Sequence, residues 1–348
     1  MNEKTLEFVK SRLKQYYERR GARAPREIER REFGFGNDKK IDYRHISFKN
    51  ENELKKHLVD NVPLYASFSS AYYEFPEGRP MERKNFLGAD LIFEFDAECT
   101  HGSVACEKCI DSMKNDTIRL IEEFLVPDFG FDKKDIRVTF SGSRGFHIFV
   151  ENEAVRPLNA VARREIVDYV QGNGFDFARF LKEKPSLDAF GWKGRLARAA
   201  LQHALKSEEK RFSDKMAVEE KIRAGNFDFF RGAPSAWEKI LNEAKLSLNA
   251  DIDQSVTLDL SRLIRLPSTV HGGSSLLCDY VKDIGSFNPF RDSVVFSDQP
   301  VKISLNEDVS GFALKEASFG PFKKSEAASV PEYAAMLLAC KGKAEVNG

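Results

Sequence analysis

The sequence predicts a mixed α/β protein of the α+β type, and three observations support this fold class. Short apolar segments of strand length recur before residue 161, amphipathic helical segments separate them, and a charged, helix-forming segment follows over residues 162–248. At 348 residues the chain is long enough to form one large domain or two with a sizeable core. This alternation is typical of a sheet covered by helices.

Each element is predicted from its local pattern. Apolar residues at helical spacing, Leu6, Val9, Leu13 and Tyr16, indicate an opening helix. The later elements expected are strands near 43–48, 63–70 and 89–96, a helix over about 112–125, and a hairpin over 136–151. Residues 330–341 are expected to form one short amphipathic helix before a loose tail.

The expected organisation is a discontinuous domain with a helical insertion. The core is predicted to comprise residues 1–161 and 249–320, because a carboxylate after residue 249 has to return to a site defined by the strand at 89–96. Residues 162–248 are predicted to form a helical subdomain, and residues 321–348 a C-terminal helix and tail.

Two carboxylates lie close together in the apolar strand at 89–96. Glu94 and Asp96 are two residues apart, so in a strand they point from the same face, while Leu91, Phe93 and Phe95 point into the core. Two like charges this close repel each other, and a divalent cation is the usual partner that neutralises them. The alternative is an acidic, solvated edge of a sheet.

A polar loop joins the two strands of the hairpin at 136–151. Its glycines allow the backbone to bend and approach a ligand, while Ser141, Ser143, Arg144 and His147 supply hydroxyl, guanidinium and imidazole donors. This set of donors suits phosphate, and so favours a nucleoside triphosphate site. The alternative is an ordinary hairpin with a polar tip.

A third carboxylate is followed by basic residues further along the chain. A two-metal site for phosphoryl transfer needs carboxylates from more than one segment, and Asp253 can supply the third. Arg265 and His271 can add positive charge where a triphosphate lies. The alternative is a strand or turn followed by a basic helix end.

Cysteine spacing predicts a structural zinc site in residues 97–111. Cys99, His101, Cys106 and Cys109 form a Cys-x-His-x4-Cys-x2-Cys pattern, and three thiolates with one imidazole make a closed tetrahedral set. Disulfide bonding is the alternative, but three cysteines cannot all pair with one another.

Charge and hydropathy narrow the classes of function. The chain has 54 basic and 54 acidic residues and a formal net charge of zero, so it carries no global signature of nucleic-acid binding. The basic residues between Lys10 and Arg31 could form a local phosphate-backbone surface, or simply a solvated helix end. With neither a transmembrane-length apolar segment nor a secretory leader in the sequence, we expect a soluble, cytoplasmic protein.

Taken in order, the three motifs resemble those of the catalytic small subunit of archaeo-eukaryotic DNA primases, in its archaeal form. The matching positions are Glu94 and Asp96, then the segment from Ser141 to His147, then Asp253, which precedes Arg265 by twelve residues and His271 by eighteen. The resemblance covers roughly residues 8–300. One position departs from the family pattern, because Glu94 stands where the family usually has Asp.

The resemblance implies a fold, a reaction and a set of roles. The fold would be a primase-polymerase catalytic core with a small zinc-binding element. Glu94, Asp96 and Asp253 would hold two Mg²⁺ or Mn²⁺ ions, and Arg44 would join the residues around the triphosphate, namely Ser141, Ser143, Arg144, His147, Arg265 and His271. The chain would start primers on single-stranded DNA for replication, using nucleoside triphosphates and a large partner subunit.

Two other functions stay open from the sequence. A primase-like polymerase for repair or lesion bypass would use the same chemistry. A non-catalytic module that binds single-stranded nucleic acid would have no reason to keep three separated acids.

Overall fold

A computed structural model describes residues 1–99, 102–174, 176–184, 186–230, 239–240 and 252–347 of the chain. The chain divides into two compact units. Unit 1 comprises Met1–Asn115, Lys133–Arg163 and Ile252–Gly348, and unit 2 comprises Asp116–Asp132 and Arg164–Asp251. Residues 116–132, for which the sequence predicts a place in the core, therefore group with the helical insertion.

The helices confirm the predicted opening helix and the later helical segments. They are α1 Glu3–Arg20, α2 Glu51–Asn61, α3 Glu107–Arg119, α4 Ala160–Gln171, α5 Phe177–Glu183, α6 Gly191–Lys206, α7 Lys215–Arg223, α8 Gln254–Leu258, α9 Pro289–Asp292 and α10 Glu332–Cys340. Helix α3 continues as a π-helical turn over Leu120–Leu125. Helix α1 begins after Asn2, whose side chain accepts the Thr5 N–H at 2.8 Å, and it buries Val9, Leu13 and Tyr17.

The strands confirm the predicted mixed α/β fold class. They are β1 Phe33–Gly36, β2 Tyr43–Ile46, β3 Tyr65–Ser69, β4 Ala71–Tyr73, β5 Phe86–Ala89, β6 Leu91–Asp96, β7 Ile136–Phe140, β8 Gly145–Val150, β9 Leu263–Arg265, β10 Thr269–Val270, β11 Leu277–Tyr280, β12 Pro300–Leu305, β13 Phe312–Leu314, β14 Ala317–Phe319, β15 Ala327–Pro331 and β16 Ala344–Val346. Strand β1 was not predicted, because its alternating glycines hide the pattern of a strand.

Two sheets of unit 1 carry the residues of interest. A five-stranded sheet has the order β10-β11-β7-β8-β6, and a four-stranded sheet has the order β2-β1-β3-β9. Strand β6 pairs antiparallel with β8, in a register that places Glu94 opposite His147 and Asp96 opposite Gly145. The acidic strand and the second strand of the polar hairpin are therefore direct neighbours.

A buried ion pair anchors the start of β6. Arg31 and Asp90 are almost fully buried, and the Arg31 Nη2 donates to Asp90 Oδ2 at 2.6 Å. The Tyr72 hydroxyl donates to the other carboxylate oxygen at 2.8 Å, and Arg163 donates to the backbone carbonyls of Ala89 and Asp90 at 2.8 Å. Because every charge here has partners, the cluster fixes the entry to the acidic strand.

The C-terminal region differs from the sequence prediction. Residues Glu332 to Ala339 of α10 are all buried, so the helix has no solvated face. The residues after it do not form a loose tail, because β16 pairs with β12 in a three-stranded sheet with β15, and Val346 lies opposite Ile303. The short apolar alternation of Ala344 and Val346 supplies the buried face of β16.

Unit 2 packs its own core around a buried acid. Asp128 Oδ2 accepts from Arg195 Nη1 at 2.6 Å and from the Tyr169 hydroxyl at 3.0 Å. The Arg195 guanidinium also lies 4.0 Å from the Phe124 ring centroid. Residues 231–238 and 241–251, which belong mostly to the predicted helical subdomain, lie outside the described residues. In the part of the chain that the structure describes, no helix has the length and apolar character needed to cross a membrane.

Candidate active site

A cavity of about 580 Å³ in unit 1 collects most of the residues singled out from the sequence. Nine of the ten predicted catalytic and nucleotide-binding residues line it, namely Arg44, Glu94, Asp96, Ser141, Ser143, Arg144, His147, Arg265 and His271. They come from β2, β6, the β7–β8 loop, β8, β9 and the segment after β10. Residues far apart in sequence therefore share one polar site.

Glu94 and Asp96 lie on one face of β6, as the alternation predicts. Glu94 is partly buried, and its Oε1 lies 3.6 Å from His147 Nε2. Burial acts to raise its pKa, but the hydrogen bond and charge of His147, together with the charges of Arg262 and Lys40, outweigh burial and lower the pKa of Glu94 to about 2. Asp96 is more exposed, and its Oδ2 lies 3.3 Å from Arg144 Nη2. Both carboxylates can therefore present anionic oxygens to a cation.

Asp253 is the predicted acid that does not line the cavity, but its backbone forms a hydrogen bond with the acidic strand β6. Its N–H donates to the Glu94 carbonyl at 3.2 Å. Asp253 caps α8, where its Oδ1 accepts from the Ser255 N–H at 2.9 Å and from the Ser255 hydroxyl at 2.6 Å. The Thr257 hydroxyl fixes α8 to β6 by donating to the Ile92 carbonyl at 2.8 Å. The backbone of Asp253 is thus held beside that of Glu94, while its carboxylate caps α8; among the described residues, only the three cysteines bring three possible ligand atoms within 4.8 Å of one another.

The β7–β8 loop depends on two glycines for its close packing. Gly142 has φ +80°, and a Cβ there would lie 2.8 Å from the His271 Cβ. A Cβ on Gly145 would lie 1.7 Å from the Phe95 carbonyl oxygen. The Ser141 hydroxyl oxygen accepts the N–H groups of Ser143 at 3.3 Å and Gly145 at 3.2 Å, so Ser141 helps to shape the loop.

His271 and Arg265 provide donors on the other side of the cavity. His271 Nδ1 accepts the Gly273 N–H at 3.1 Å, so a neutral ring carries its proton on Nε2. Removal from water and the charge of Arg265 hold the pKa of His271 well below its ordinary value. The Arg265 guanidinium lies 5.0 Å from the Tyr65 ring centroid, and burial lowers its pKa. A neutral imidazole and an arginine can both donate to an anion.

Several lining residues were missed by the sequence analysis. They are Lys40, Ile41, Ser67, Asp259, Ser261, Arg262, Leu263 and Ile264. Arg262 had a usable signal, because it directly precedes β9 and lies three residues before Arg265. Lys40 had no such signal, because it lies in an ordinary charged loop before β2. Asp259 shapes a turn, since its Oδ1 accepts from the Ser261 N–H at 2.9 Å and the Ser261 hydroxyl at 2.7 Å.

Three cysteine sulfurs meet after β6. Cys99, Cys106 and Cys109 offer ligand atoms within 4.8 Å of one another. The Cys106 and Cys109 sulfurs lie 3.4 Å apart, well beyond a disulfide bond length of about 2.05 Å. Burial and the two neighbouring sulfurs raise the pKa of Cys109 to about 12, so anionic sulfurs here need a cation. The cluster could bind zinc. His101, the fourth predicted ligand, lies outside the described residues.

Comparison with known proteins identifies the family. A sequence profile of the DNA primase small subunit matches residues 95–283, more than half of the chain. The chain belongs to the DNA primase small subunit family. It is 33% identical to the DNA primase small subunit PriS of Methanothrix thermoacetophila, with 100% of both chains covered. It is also 33% identical to PriS of Archaeoglobus fulgidus and 32% identical to PriS of Nitrosopumilus maritimus, with 98% of each chain covered in both comparisons.

Membership in this family confirms the resemblance that the three motifs indicated. It also supports a DNA primase role in replication. The matched span contains Asp96, the β7–β8 loop, Asp253, Arg265 and His271, and it begins one residue after Glu94. The full-length coverage also includes the C-terminal sheet, which lies beyond the profile.

Proposed function

We propose that this chain is the catalytic subunit that synthesises short primers on single-stranded DNA by a two-metal nucleotidyl transfer. The observation that carries the proposal is the single cavity in which the carboxylates of β6 face arginine, serine and histidine donors. Acids alone would suit a cation, and basic donors alone would suit an anion. A nucleoside triphosphate with its metal ions requires both in one place.

The proposed metal ligands are Glu94, Asp96 and Asp253. When bound, Mg²⁺ or Mn²⁺ would lower the pKa of the primer 3′-hydroxyl and stabilise negative charge on the phosphates. The low pKa of Glu94 keeps its carboxylate anionic over the whole physiological range. The Asp253 backbone N–H bond to Glu94 keeps the third acid beside the first. Glu94 is longer than the usual Asp, so its reach from β6 would alter the coordination geometry and with it the preference for Mg²⁺ or Mn²⁺.

The remaining predicted residues of the cavity would bind the triphosphate directly or shape the site around it. Arg44, Arg144 and Arg265 would pair with phosphate oxygens, and His271 would donate from Nε2. Ser143 would donate a hydroxyl, while Ser141 acts mainly by shaping the loop. His147 would act through Glu94, which it faces across the paired strands.

The cysteine cluster and the partner subunit complete the proposal. We assign zinc to Cys99, Cys106 and Cys109 with His101 as a fourth ligand, in a structural role, because thiolates suit zinc and oxygen ligands suit magnesium. The relatives are named small subunits, which supports a larger partner subunit for this chain. The substrates would be nucleoside triphosphates and a single-stranded DNA template.

The decisive experiment is primer synthesis on unprimed single-stranded DNA, with and without the large subunit, in Mg²⁺ or Mn²⁺. We expect Asp96→Asn and Asp253→Asn each to reduce the rate by about 100-fold or more, because a lost ligand removes several kcal/mol of charge stabilisation. Asp298→Asn is the matched control, since Asp298 is an exposed acid that pairs with Lys315 at 3.3 Å outside the cavity.

Other outcomes would contradict the proposal or identify a different function. Retention of more than about a tenth of the wild-type rate by either variant would contradict the two-metal assignment. Extension of primed templates without initiation would identify a repair or lesion-bypass polymerase. Binding of single-stranded DNA without any synthesis would identify a non-catalytic module.

A further inference from the structure

Arg44 reaches the cavity from a buried charge cluster that the three motifs do not include. The cluster comprises Glu32, Arg44, His45 and Lys84, and Arg44 is its member that lines the cavity. The Glu32 side chain is fully buried just before β1. Such a buried carboxylate needs several donors to offset its desolvation.

Glu32 receives those donors mainly from Arg44. The Arg44 Nε donates to Glu32 Oε1 at 2.6 Å, and Nη2 donates to Oε2 at 3.0 Å, which is a bidentate pair. Nη2 also donates to the Ser261 carbonyl at 3.1 Å. These contacts fix the plane of the guanidinium and leave Nη1 without a bond to the described residues. A held arginine loses less side-chain entropy when it pairs with an anion.

The backbone around Arg44 is arranged to make this pair. The pairing of β1 with β2 shifts register between Phe33 and Phe35, and such bulges redirect side chains. His45 has φ +69°, an uncommon conformation for a residue other than glycine. Its N–H donates to Glu32 Oε1 at 3.0 Å, so the same carboxylate holds the strained residue.

Lys84 gives the cluster a surplus of positive charge. Its buried Nζ lies 3.5 Å from Glu32 Oε2 and 5.3 Å from the Tyr73 ring centroid. One carboxylate therefore faces two cations. Burial lowers the pKa of Lys84, which the Glu32 charge opposes, and burial also lowers the pKa of His45. Arg44 brings positive charge to the cavity, where the charge of Asp259 acts on it and a bound anion would also interact with it.

We propose that Glu32 is a positioning residue, which holds Arg44 so that its Nη1 face meets the phosphates of the incoming nucleotide. This inference rests on the proposed function, because it assumes that the cavity takes a nucleoside triphosphate. Glu32 does not touch the nucleotide. Glu32 acts through Arg44. The positive charge of Lys84 offsets the negative charge of Glu32, so the charge of Arg44 still acts on the nucleotide.

The test is a double-mutant cycle of Glu32→Gln and Arg44→Gln, read as KM for the nucleotide and kcat in primer synthesis. Each single variant should raise KM about tenfold with kcat within about twofold, because an ordered guanidinium serves ground state and transition state alike. In the Arg44→Gln background, Glu32→Gln should add nothing further, since its effect passes through Arg44.

The opposite results are equally definite. A purely electrostatic role would make Glu32→Gln lower KM, because the variant removes negative charge near the cavity. Unchanged KM, lowered KM, or independent effects of the two substitutions would overturn the proposal. Absence of primer synthesis by the wild-type chain would instead overturn the proposed function, and so the two failures are distinguishable.

Two further variants guard against loss of folding. Glu32→Gln leaves Lys84 buried opposite a neutral amide, so Glu32→Gln combined with Lys84→Met removes both charges and should show the same increase in KM. Glu332→Gln is the matched control, because Glu332 is also buried and pairs with Arg12 at 2.6 Å outside this cavity. That variant should lower the melting temperature and leave KM unchanged.

Discussion

The charge of a single side chain in the cavity depends on what surrounds it, and His271 illustrates this. Its pKa lies well below the usual 6.5, through removal from water and the Arg265 charge, so the folded protein binds its proton less readily than the unfolded chain. The resulting stability is complete above pH 6.5 and is lost as the pH falls below that value.

This linkage gives a prediction for His271→Gln. Below about pH 6.5 the wild-type free energy of unfolding should fall by up to about 1.4 kcal/mol per pH unit from this residue alone, and the variant should lack that component. Urea unfolding of both proteins between about pH 5 and pH 8 measures the difference. Parallel pH profiles would show that His271 titrates normally in the folded protein.

The sequence indicated candidate site residues where residue type and spacing point to the same chemistry, and it gave no signal for charged residues that are buried in the fold. Glu94 and Asp96 stood out because two acids in an apolar strand conflict with burial, and the β7–β8 loop stood out through its glycines. Glu32 gave no signal, because one acid in the charged segment before β1 resembles a surface residue. Only the folded chain shows that β1, β2 and Lys84 enclose it.

At the scale of elements, the close approach of β6 and β8 sets the geometry of the site. Gly145 lies opposite Asp96, and an added Cβ would lie 1.7 Å from the Phe95 carbonyl oxygen. The clash is with backbone, so the strands have to separate. We expect Gly145→Ala to lower the free energy of unfolding by about 3 kcal/mol or more, and to abolish synthesis.

Gly311→Ala provides a matched control for this substitution. A Cβ at Gly311 would make only ordinary contacts, with the Phe319 carbonyl oxygen at 3.7 Å, and its φ is not positive. Chemical unfolding and primer synthesis should therefore be close to wild type in this variant. Equal stability of the two variants would mean that β6 and β8 are more loosely paired than the structure indicates.

The cysteine cluster is a second element with a direct test. Metal analysis should find about one zinc per chain, and Cys106→Ser with Cys109→Ser should release it, because two of the proposed ligands are lost. Metal binding contributes to folding, so that double variant should also melt at a lower temperature. Cys340→Ser, a cysteine outside the cluster, should retain its zinc.

The proposed catalytic ions and the proposed zinc differ in the ligands that would hold them. Mild chelation that removes zinc should leave synthesis recoverable by added Mg²⁺ or Mn²⁺ while the fold survives, because the acids of β6 are oxygen ligands. If the purified protein contains no zinc and the double variant melts at the same temperature as the wild type, the cysteine spacing does not mark a zinc site.

At the scale of the whole molecule, a net charge of zero means that DNA affinity has to come from local surfaces. The basic segment from Lys10 to Arg31 is partly used within the fold, since Arg31 pairs with Asp90 and Arg12 with Glu332. Arg19 and Arg20 are exposed in the last turn of α1 and make no ion pair with the described residues. Exposed Arg23 lies 5.3 Å from the Tyr280 ring centroid.

We therefore expect Arg19, Arg20 and Arg23 to contact the phosphate backbone of single-stranded DNA. Replacing all three by Gln should weaken binding about equally for all sequences, and should reduce the slope of log affinity against log salt by about 2, at about 0.7 per phosphate contact. Fluorescence anisotropy over a range of salt concentrations measures both effects. Lys302, Lys323 and Lys324 are exposed, and changing them to Gln removes the same charge elsewhere on unit 1. If both triple variants change the affinity equally, the three arginines act only through net charge.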